Sequence, residues 1–192
     1  MLRYEPSCAG ELAALLQECA SKRQTIELAG CGSKSTMAGN VEAAEVFIST
    51  KRLNKLLAYE PRDLTVSVEA GMEFRQLQAL LRENGQMIAL DPPFSERASL
   101  GGVVASNSNG PMRRAFGTAR DLVIGMKFAT LEGKLVETGG MVVKNVAGLD
   151  MGKLMIGSFG TLAAITSLNF RVHSLPEATE TYLFSHPELS EA

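Results

Sequence analysis

The chain has no tryptophan, three cysteines, two histidines and no excess of either charge. Each shortage excludes a class of protein. Cys8, Cys19 and Cys31 form no C-x-x-C pair, and so odd and sparse a count suits a reducing compartment. It also falls short of the roughly four thiolates that an iron–sulfur cluster needs. His173 and His186 both lie near the C-terminal end, too few for a multi-histidine zinc site, and no metal is expected. With 19 basic and 21 acidic residues the formal net charge is −2. Broad binding to nucleic-acid backbone needs a concentrated basic patch and is not expected. No apolar run approaches the roughly 18–20 residues of a membrane span. Met1-Leu2-Arg3-Tyr4-Glu5 lacks the charged head and apolar run of a signal peptide, so a cytoplasmic protein is the expectation.

What is there is ordinary globular material, 45% hydrophobic and 21% charged over 192 residues, enough for one generous domain or two lobes sharing a core. Ser7 is placed to cap a helix carrying Leu12, Leu15, Leu16 and Cys19 on one stripe. Thr25–Ala29 and Val46–Ser49 read as short strands. Leu64–Ala70 alternates as a half-buried strand does. Phe74, Leu77, Leu80 and Leu81 follow at helical spacing, with Gly85 placed to end that helix. From Asp91 to Gly117 the chain is long, small-residued and irregular, with a short helical turn after Gly102. Such a segment inside a compact domain usually has a function. Leu122–Thr130 and Lys134–Thr138 read as a hairpin turned at Glu132-Gly133. Asp150 caps a helix over Met151–Ile156, and Leu162–Val172 is a final strand. After Leu175-Pro176 the chain turns polar. Helices and strands mix without regular alternation, which favours an α+β architecture.

Most of the 18 glycines fall in clusters. Glycine-flanked turns can present consecutive backbone N–H groups to an anion without help from a basic patch. The first cluster is Gly30-Cys31-Gly32-Ser33-Lys34-Ser35. It is not the dinucleotide fingerprint, because Ser35 stands at the sixth position and Ala38-Gly39-Asn40 where a helix should run. It is not a P-loop either, since the upstream glycine is missing. Alone, a tight turn and an anion site are equally good readings. The second cluster, Ser99-Leu100-Gly101-Gly102 with Val103 to Asn109 following, stays small for too long to be a mere surface loop. A side chain at Gly101 is expected to fill a ligand's space and to abolish its binding in a folded chain. The third runs from Gly139-Gly140 through Lys144 and Gly148 to Gly157-Ser158-Phe159-Gly160-Thr161; by itself it reads as a helix end and a turn. Cys31 reads as a small filler, the methionines as core, and His173 as structural. Arg113 and Arg114 suit either a phosphate or solvent, and Lys144 either a ligand oxygen or a helix end.

Three elements in this order resemble the FAD-binding domain of the vanillyl-alcohol-oxidase superfamily, the p-cresol methylhydroxylase (PCMH) type. They are the glycine-rich first loop; Ser-Leu-Gly-Gly leading to Phe116-Gly117 and Asp121; and Lys144-Asn145 followed by Gly157-Ser158-x-Gly160-Thr161-Leu162 and Ile165-Thr166. The likeness spans about Pro6 to Val172. Within the superfamily, Gly85-Gln86-Met87, Pro92-Pro93, Gly110-Pro111-Met112-Arg113-Arg114 and Gly139 to Gly148 look most like the smaller FAD-binding subunits of bacterial glycolate oxidases. Three positions depart from the family pattern: Leu149 replaces a frequent tyrosine, Phe159 a glutamate and Ala163 a glycine.

The resemblance implies an α+β, two-lobed PCMH-type FAD-binding domain whose cap domain is absent or truncated. Residues 1–175 would form that domain, with a smaller lobe over about 1–60 and a larger one over about 61–175. Residues 176–192 would begin the cap region. Gly30, Cys31, Gly32, Ser33, Lys34 and Ser35 would wrap the FAD diphosphate, and Ser99, Leu100, Gly101 and Gly102 would form its second wall, with Pro92 nearby. Ser106 and Asn107 would lie nearer the flavin, and Phe116, Gly117 and Asp121 would support the cofactor bed. Gly157, Ser158, Gly160 and Thr161 would deliver the strand around Ile165 to the adenine end. FAD is expected to be non-covalent, since neither histidine lies in these loops. The implied partners are a larger FAD-containing subunit, an iron–sulfur subunit and a small hydroxy acid, with peripheral attachment to the inner membrane only through partners. Oxidation of a hydroxy acid needs a base and a carboxylate anchor, and no residue here is nominated for either. A non-catalytic subunit with a vacant flavin fold and an oxidoreductase of another hydroxy acid are the alternatives. A flavin subunit of a molybdenum hydroxylase ranks below both.

Overall fold

A computed structural model describes residues 1–37, 39, 42–141 and 150–183. The chain runs β1 (Leu2–Tyr4), α1 (Ala9–Ser21), β2 (Ile26–Ala29), β3 (Val46–Ser49) and β4 (Leu56–Glu60), then a 3-10 turn at Pro61–Asp63. Next come β5 (Thr65–Glu69), α2 (Phe74–Arg82), β6 (Gln86–Met87), α3 (Leu100–Ala105), α4 (Arg113–Phe116) and α5 (Ala119–Leu122). Then follow β7 (Val123–Ala129), β8 (Leu135–Gly139), α6 (Met151–Met155), β9 (Ala164–Arg171) and β10 (His173–Ser174).

Two sheets organise this order. The first is all parallel, β1-β3-β2. Val46 and Ile48 of its central strand are buried with Leu12, Ala13, Leu16 and Cys19 of α1. Those α1 residues recur at helical spacing, so one stripe closes the sheet's face. The second sheet is antiparallel, β4-β5-β9-β7-β8. Its large core takes Val66 and Val68 of β5, Leu168 and Phe170 of β9, Phe74, Leu77 and Leu81 of α2, and Leu100, Val103 and Val104 of α3. A two-stranded ribbon, β10-β6, forms a third small sheet that adds Met87 to the large core. The two cores are not independent. Ala129 of β7 and Ala164 of β9, strands of the antiparallel sheet, are buried in the α1 cluster.

The sequence reading holds for α2, the β7–β8 hairpin and α6, whose cap Asp150 accepts from Lys153 N at 3.2 Å. It needs correction elsewhere. The N-cap of α1 is Cys8, whose sulfur accepts from Glu11 N, and Ser7 instead donates its N–H and hydroxyl to Glu11 at 2.7 and 2.8 Å. β5 is buried on both faces, Val66 and Val68 in the large core and Thr65 and Ser67 on the opposite side. Its inward polar residues find partners in the sheet, Ser67 Oγ donating to Asn169 Oδ1 at 2.7 Å. Leu64 is not part of β5: it takes a left-handed conformation that ends the 3-10 turn. Asp91–Gly117 is more regular than its composition suggests, with α3 starting two residues before Gly102 and α4 following. The final strand begins at Ala164, leaving Leu162 half exposed.

Candidate functional site

The first glycine loop leaves the open end of β2 against α3. A Cβ at Gly30 would lie 1.9 Å from Ser99 Oγ and 2.8 Å from Ser99 Cβ, so the two loops touch where only glycine fits. Ser49 Oγ donates to Gly30 O at 3.1 Å, and Thr50 N to Ala29 O at 2.8 Å, anchoring the loop's root to the end of β3. Beyond it the backbone is bare. Among the described residues, the N–H groups of Gly30, Cys31, Gly32, Ser33 and Lys34 have no acceptor in the chain, whereas Ser35 N turns back to Gly32 O at 3.4 Å. Consecutive unsatisfied donors are costly unless water or an anion meets them. Lys34 Nζ is also buried and lacks a hydrogen-bond partner among the described residues, and desolvation pulls its pKa below the ordinary lysine value. Cys31 Sγ lies 4.0 Å from Gly71 O, and burial raises its thiol pKa, as suits a filler.

The second loop is built differently from the expectation. Segment 98–101 runs beside 70–74, with Phe74 N donating to Ala98 O at 2.8 Å, Leu100 N to Met72 O at 2.9 Å and Gly101 N to Ala70 O at 2.7 Å. Ser99 caps α3 by accepting from Gly102 N at 3.2 Å. The first N–H groups of α3 are therefore already engaged. A Cβ on Gly101 would meet Ala70 Cβ and Ala70 O at 2.9 Å, so its glycine serves a close approach within the chain rather than an open ligand space. Leu100 is fully buried, and of this loop Gly102 is the partly open residue. Pro92 is buried before it. Ser106 Oγ turns back to Gly102 O at 2.6 Å and meets Ser108 Oγ at 2.7 Å, while Asn107 takes a left-handed conformation.

The third cluster is a strut. Gly157 N donates to Val104 O at 3.2 Å and Phe159 N to Ala105 O at 2.8 Å, so the turn docks on the C-terminal end of α3. Ser158 Oγ accepts from Gly160 N at 3.3 Å, Ser158 O accepts from the Thr161 hydroxyl at 2.7 Å, and a Cβ on Gly160 would touch Leu28 Cδ2 at 3.1 Å. The Gly157–Thr161 end of the third cluster thus meets the first two clusters around α3 and the end of β2, while Gly139 and Gly140 stay against Ile124 and Gly125 of β7. Ile165 buries its side chain in the large core and pairs with Phe128 of β7 within the antiparallel sheet. Val142 to Leu149, including Lys144, lie outside the described residues, as do Ala38, Asn40 and His186.

Gly117 and Asp121 form a tight corner. The Asp121 carboxylate accepts from Thr118 N at 2.8 Å and Thr118 Oγ1 at 3.0 Å, a capping box for α5 that lowers its pKa. Asp121 engages its carboxylate in this cap. Phe116 packs edge-on against His173, with ring centroids 5.1 Å apart. His173 therefore stands next to the expected flavin side. Its Nε2 is buried without a partner among the described residues, and burial, with Arg171 adding to it, lowers its pKa.

Sequence reasoning missed two anchors. Gly71 fits only as glycine, since a Cβ would meet Thr50 O at 2.0 Å. Asp91 accepts from Gly110 N at 2.9 Å and Met112 N at 3.1 Å. Asp91 sits in sequence beside a proline pair, which draws attention away from its carboxylate. A separate apolar pocket of about 240 Å³ between α1, β2 and Gly160–Ala164 is lined by no residue of the Gly30 loop. Among the described residues no helix is long and apolar enough to cross a membrane, and no cluster of three or more histidine, cysteine or carboxylate side chains could hold a metal ion.

A glycine loop whose N–H groups and lysine ammonium find no partner among the described residues, backed by the small-residue helix α3 that its Gly30 touches, suits a nucleotide cofactor. The comparisons make this specific: residues 2–139 match a family model described as an FAD binding domain, and the chain belongs to that family. It is 32% identical over 165 residues to glycolate oxidase subunit GlcE of Escherichia coli, covering 85% of this chain and 47% of that protein. It is also 32% identical over 166 residues to D-2-hydroxyglutarate dehydrogenase of Xanthomonas citri, covering 85% of this chain and 35% of the relative. Among solved structures, alkyldihydroxyacetonephosphate synthase superposes with a TM-score of 0.79 at 27% identity, covering 92% of this chain and 32% of the other. The chain spans half or less of the length of these relatives. The fold is the α+β PCMH type, and the cofactor of the family is FAD.

Proposed function

We propose that this chain is the FAD-holding part of an oxidoreductase acting on a small 2-hydroxy acid, of the glycolate oxidase kind. The observation that carries the reading is the run of N–H groups from Gly30 to Lys34 that, with the Lys34 ammonium, finds no partner among the described residues. Together they supply the directed dipoles and the charge that a diphosphate requires. The donor set fits the diphosphate through Gly30, Cys31, Gly32, Ser33 and Lys34 rather than through the start of α3, whose N–H groups are engaged. Ser35, Pro92, Ser99, Leu100, Gly101 and Gly102 shape the wall behind it. Ser106, Asn107, Phe116, Gly117 and Asp121 belong to the flavin end, and Gly157, Ser158, Gly160, Thr161 and Ile165 to the adenine end.

Bound non-covalently, FAD would take two reducing equivalents from the carbon bearing the substrate's hydroxyl. The chain's own residues bind and orient the cofactor, Lys34 staying protonated against its phosphates. No described residue is assigned the substrate's proton or its carboxylate. We assign residues 1–175 to the FAD-binding unit, with a smaller lobe over about 1–60 and a larger one over about 61–175, and 176–192 to the approach to a cap region. Electrons would pass to a partner: a larger FAD-containing subunit and an iron–sulfur subunit, in the cytoplasm or held at the inner membrane by those partners. Two relatives support this, the GlcE subunit and, at 27% identity over 189 residues, glycolate oxidase subunit GlcD of Bacillus subtilis. The test is the visible spectrum of the purified chain and its titration with FAD. Flavin absorbance that reports stoichiometric uptake supports the reading. Absence of both, in protein with a cooperative melt, points to a vacant fold instead.

A further inference from the structure

We propose that Asp91 is a positioning residue that sets the flavin-end segment, Asn107 to Gly117, in register with the diphosphate loops. The inference rests on the FAD reading above. Asp91 follows Ile88-Ala89-Leu90, three residues buried in the large core, so its Cα is held by rigid packing. Its two carboxylate oxygens accept from different backbone groups, Oδ1 from Gly110 N at 2.9 Å and Oδ2 from Met112 N at 3.1 Å. That grip spans the entry to α4. Gly110 is pressed so close that a Cβ there would lie 2.4 Å from Asp91 O, Cγ and Oδ2. Asn109, next in line, spreads the constraint both ways. Its Nδ2 donates to Asn107 O at 2.7 Å and Asn107 Oδ1 at 3.0 Å, and its Oδ1 accepts from Ala119 N at 3.1 Å. Asn107 holds a left-handed backbone (φ 47°), and α4 ends on Phe116, which packs on His173. One carboxylate thus grips the segment that carries Asn107, Phe116 and Gly117, residues the FAD reading places at the flavin. Among the described residues, none of its bonds reaches the Gly30 loop.

This separation yields a test with two ligands. ADP contains the diphosphate and adenine but no flavin, so it reads the first loop and the adenine end and leaves the flavin end unread. In the full chain, Asp91→Ala is expected to bind ADP within about twofold of wild type. Its FAD affinity is expected to fall at least tenfold, and the spectrum and fluorescence of the bound flavin to move toward those of free FAD. Asp91→Asn keeps the shape and one accepting oxygen but turns an N–H₂ toward the other donor, and should fall between the two. Wild-type FAD affinity and spectrum in Asp91→Ala would overturn the proposal, as would equal losses of ADP and FAD in both variants. If Asp91→Ala does not fold, Asp91→Asn decides by the same criteria. A wild-type chain that takes up neither ligand would refute the FAD reading itself, an outcome distinct from either.

Discussion

Replacing Lys34 by methionine should move stability and affinity in opposite directions. In the FAD-free chain the ammonium is buried beside no partner among the described residues, and desolvation lowers its pKa. A group whose folded pKa lies below its unfolded value weakens folding whenever it must be charged. That penalty is full at neutral pH and fades as pH rises from the folded pKa through the unfolded one, near 10.5. Methionine matches the lysine stem without the charge. The FAD-free variant should gain a little stability, under about 1 kcal/mol because the side chain is only partly buried. Against this, the diphosphate would lose a charge-assisted hydrogen bond of about 1.5–3 kcal/mol, which is about 10- to 150-fold in affinity. Urea melts of the FAD-stripped proteins read the first effect, and flavin fluorescence quenching reads the second. Wild-type protein should also take up protons on binding FAD at alkaline pH, and the variant should not. A variant that is less stable without FAD, or binds it as wild type does, refutes the assignment.

Other outcomes follow from the same geometry. Gly30→Ala should cost about 1–3 kcal/mol by overpacking. Combined with Ser99→Ala it should cost less than the sum of the single changes, because the 1.9 Å conflict is with the Ser99 hydroxyl; additivity within about 0.3 kcal/mol in denaturant melts would show that the loops do not touch. Gly101→Val should lower the melting temperature before it touches FAD affinity, since its side chain would meet Ala70. A selective loss of FAD binding with an unchanged melt would restore the original expectation of an open ligand space there. Asp121→Ala should remove the α5 capping box at a cost of about 1 kcal/mol. The stability owed to that carboxylate should also disappear on acidification below the usual aspartate range, because its folded pKa is lowered. Comparing the acid limbs of wild-type and variant melts measures this.

Elements with strong periodicity were legible in the sequence: the stripes of α1 and α2, and the hairpin around Gly133. β4 was not, because an edge strand with most of its side chains in solvent carries no inward pattern. β5 was found but misjudged. Its alternating threonine and serine look solvent-facing, yet they are buried against partners 100 residues away that only the sheet reveals. Glycine clustering drew attention to segments whose Gly30, Ser99–Gly102 and Gly157–Gly160 parts meet around α3. Composition cannot say which N–H groups are spent on the chain itself. That depends on pairings such as Gly101 with Ala70 and Phe159 with Ala105, which are tertiary. Asp91 was invisible for the same reason, its partners lying 19 and 21 residues further on.

Ala129 and Ala164 belong by chain to one sheet and by burial to the core of the other. A seam knitted this way leaves no clean plane along which one half can swing from its neighbour, so calorimetry should record a single endotherm. Cofactor exchange would then proceed by local yielding of the loop tips, and its rate should follow loop substitutions rather than solvent viscosity.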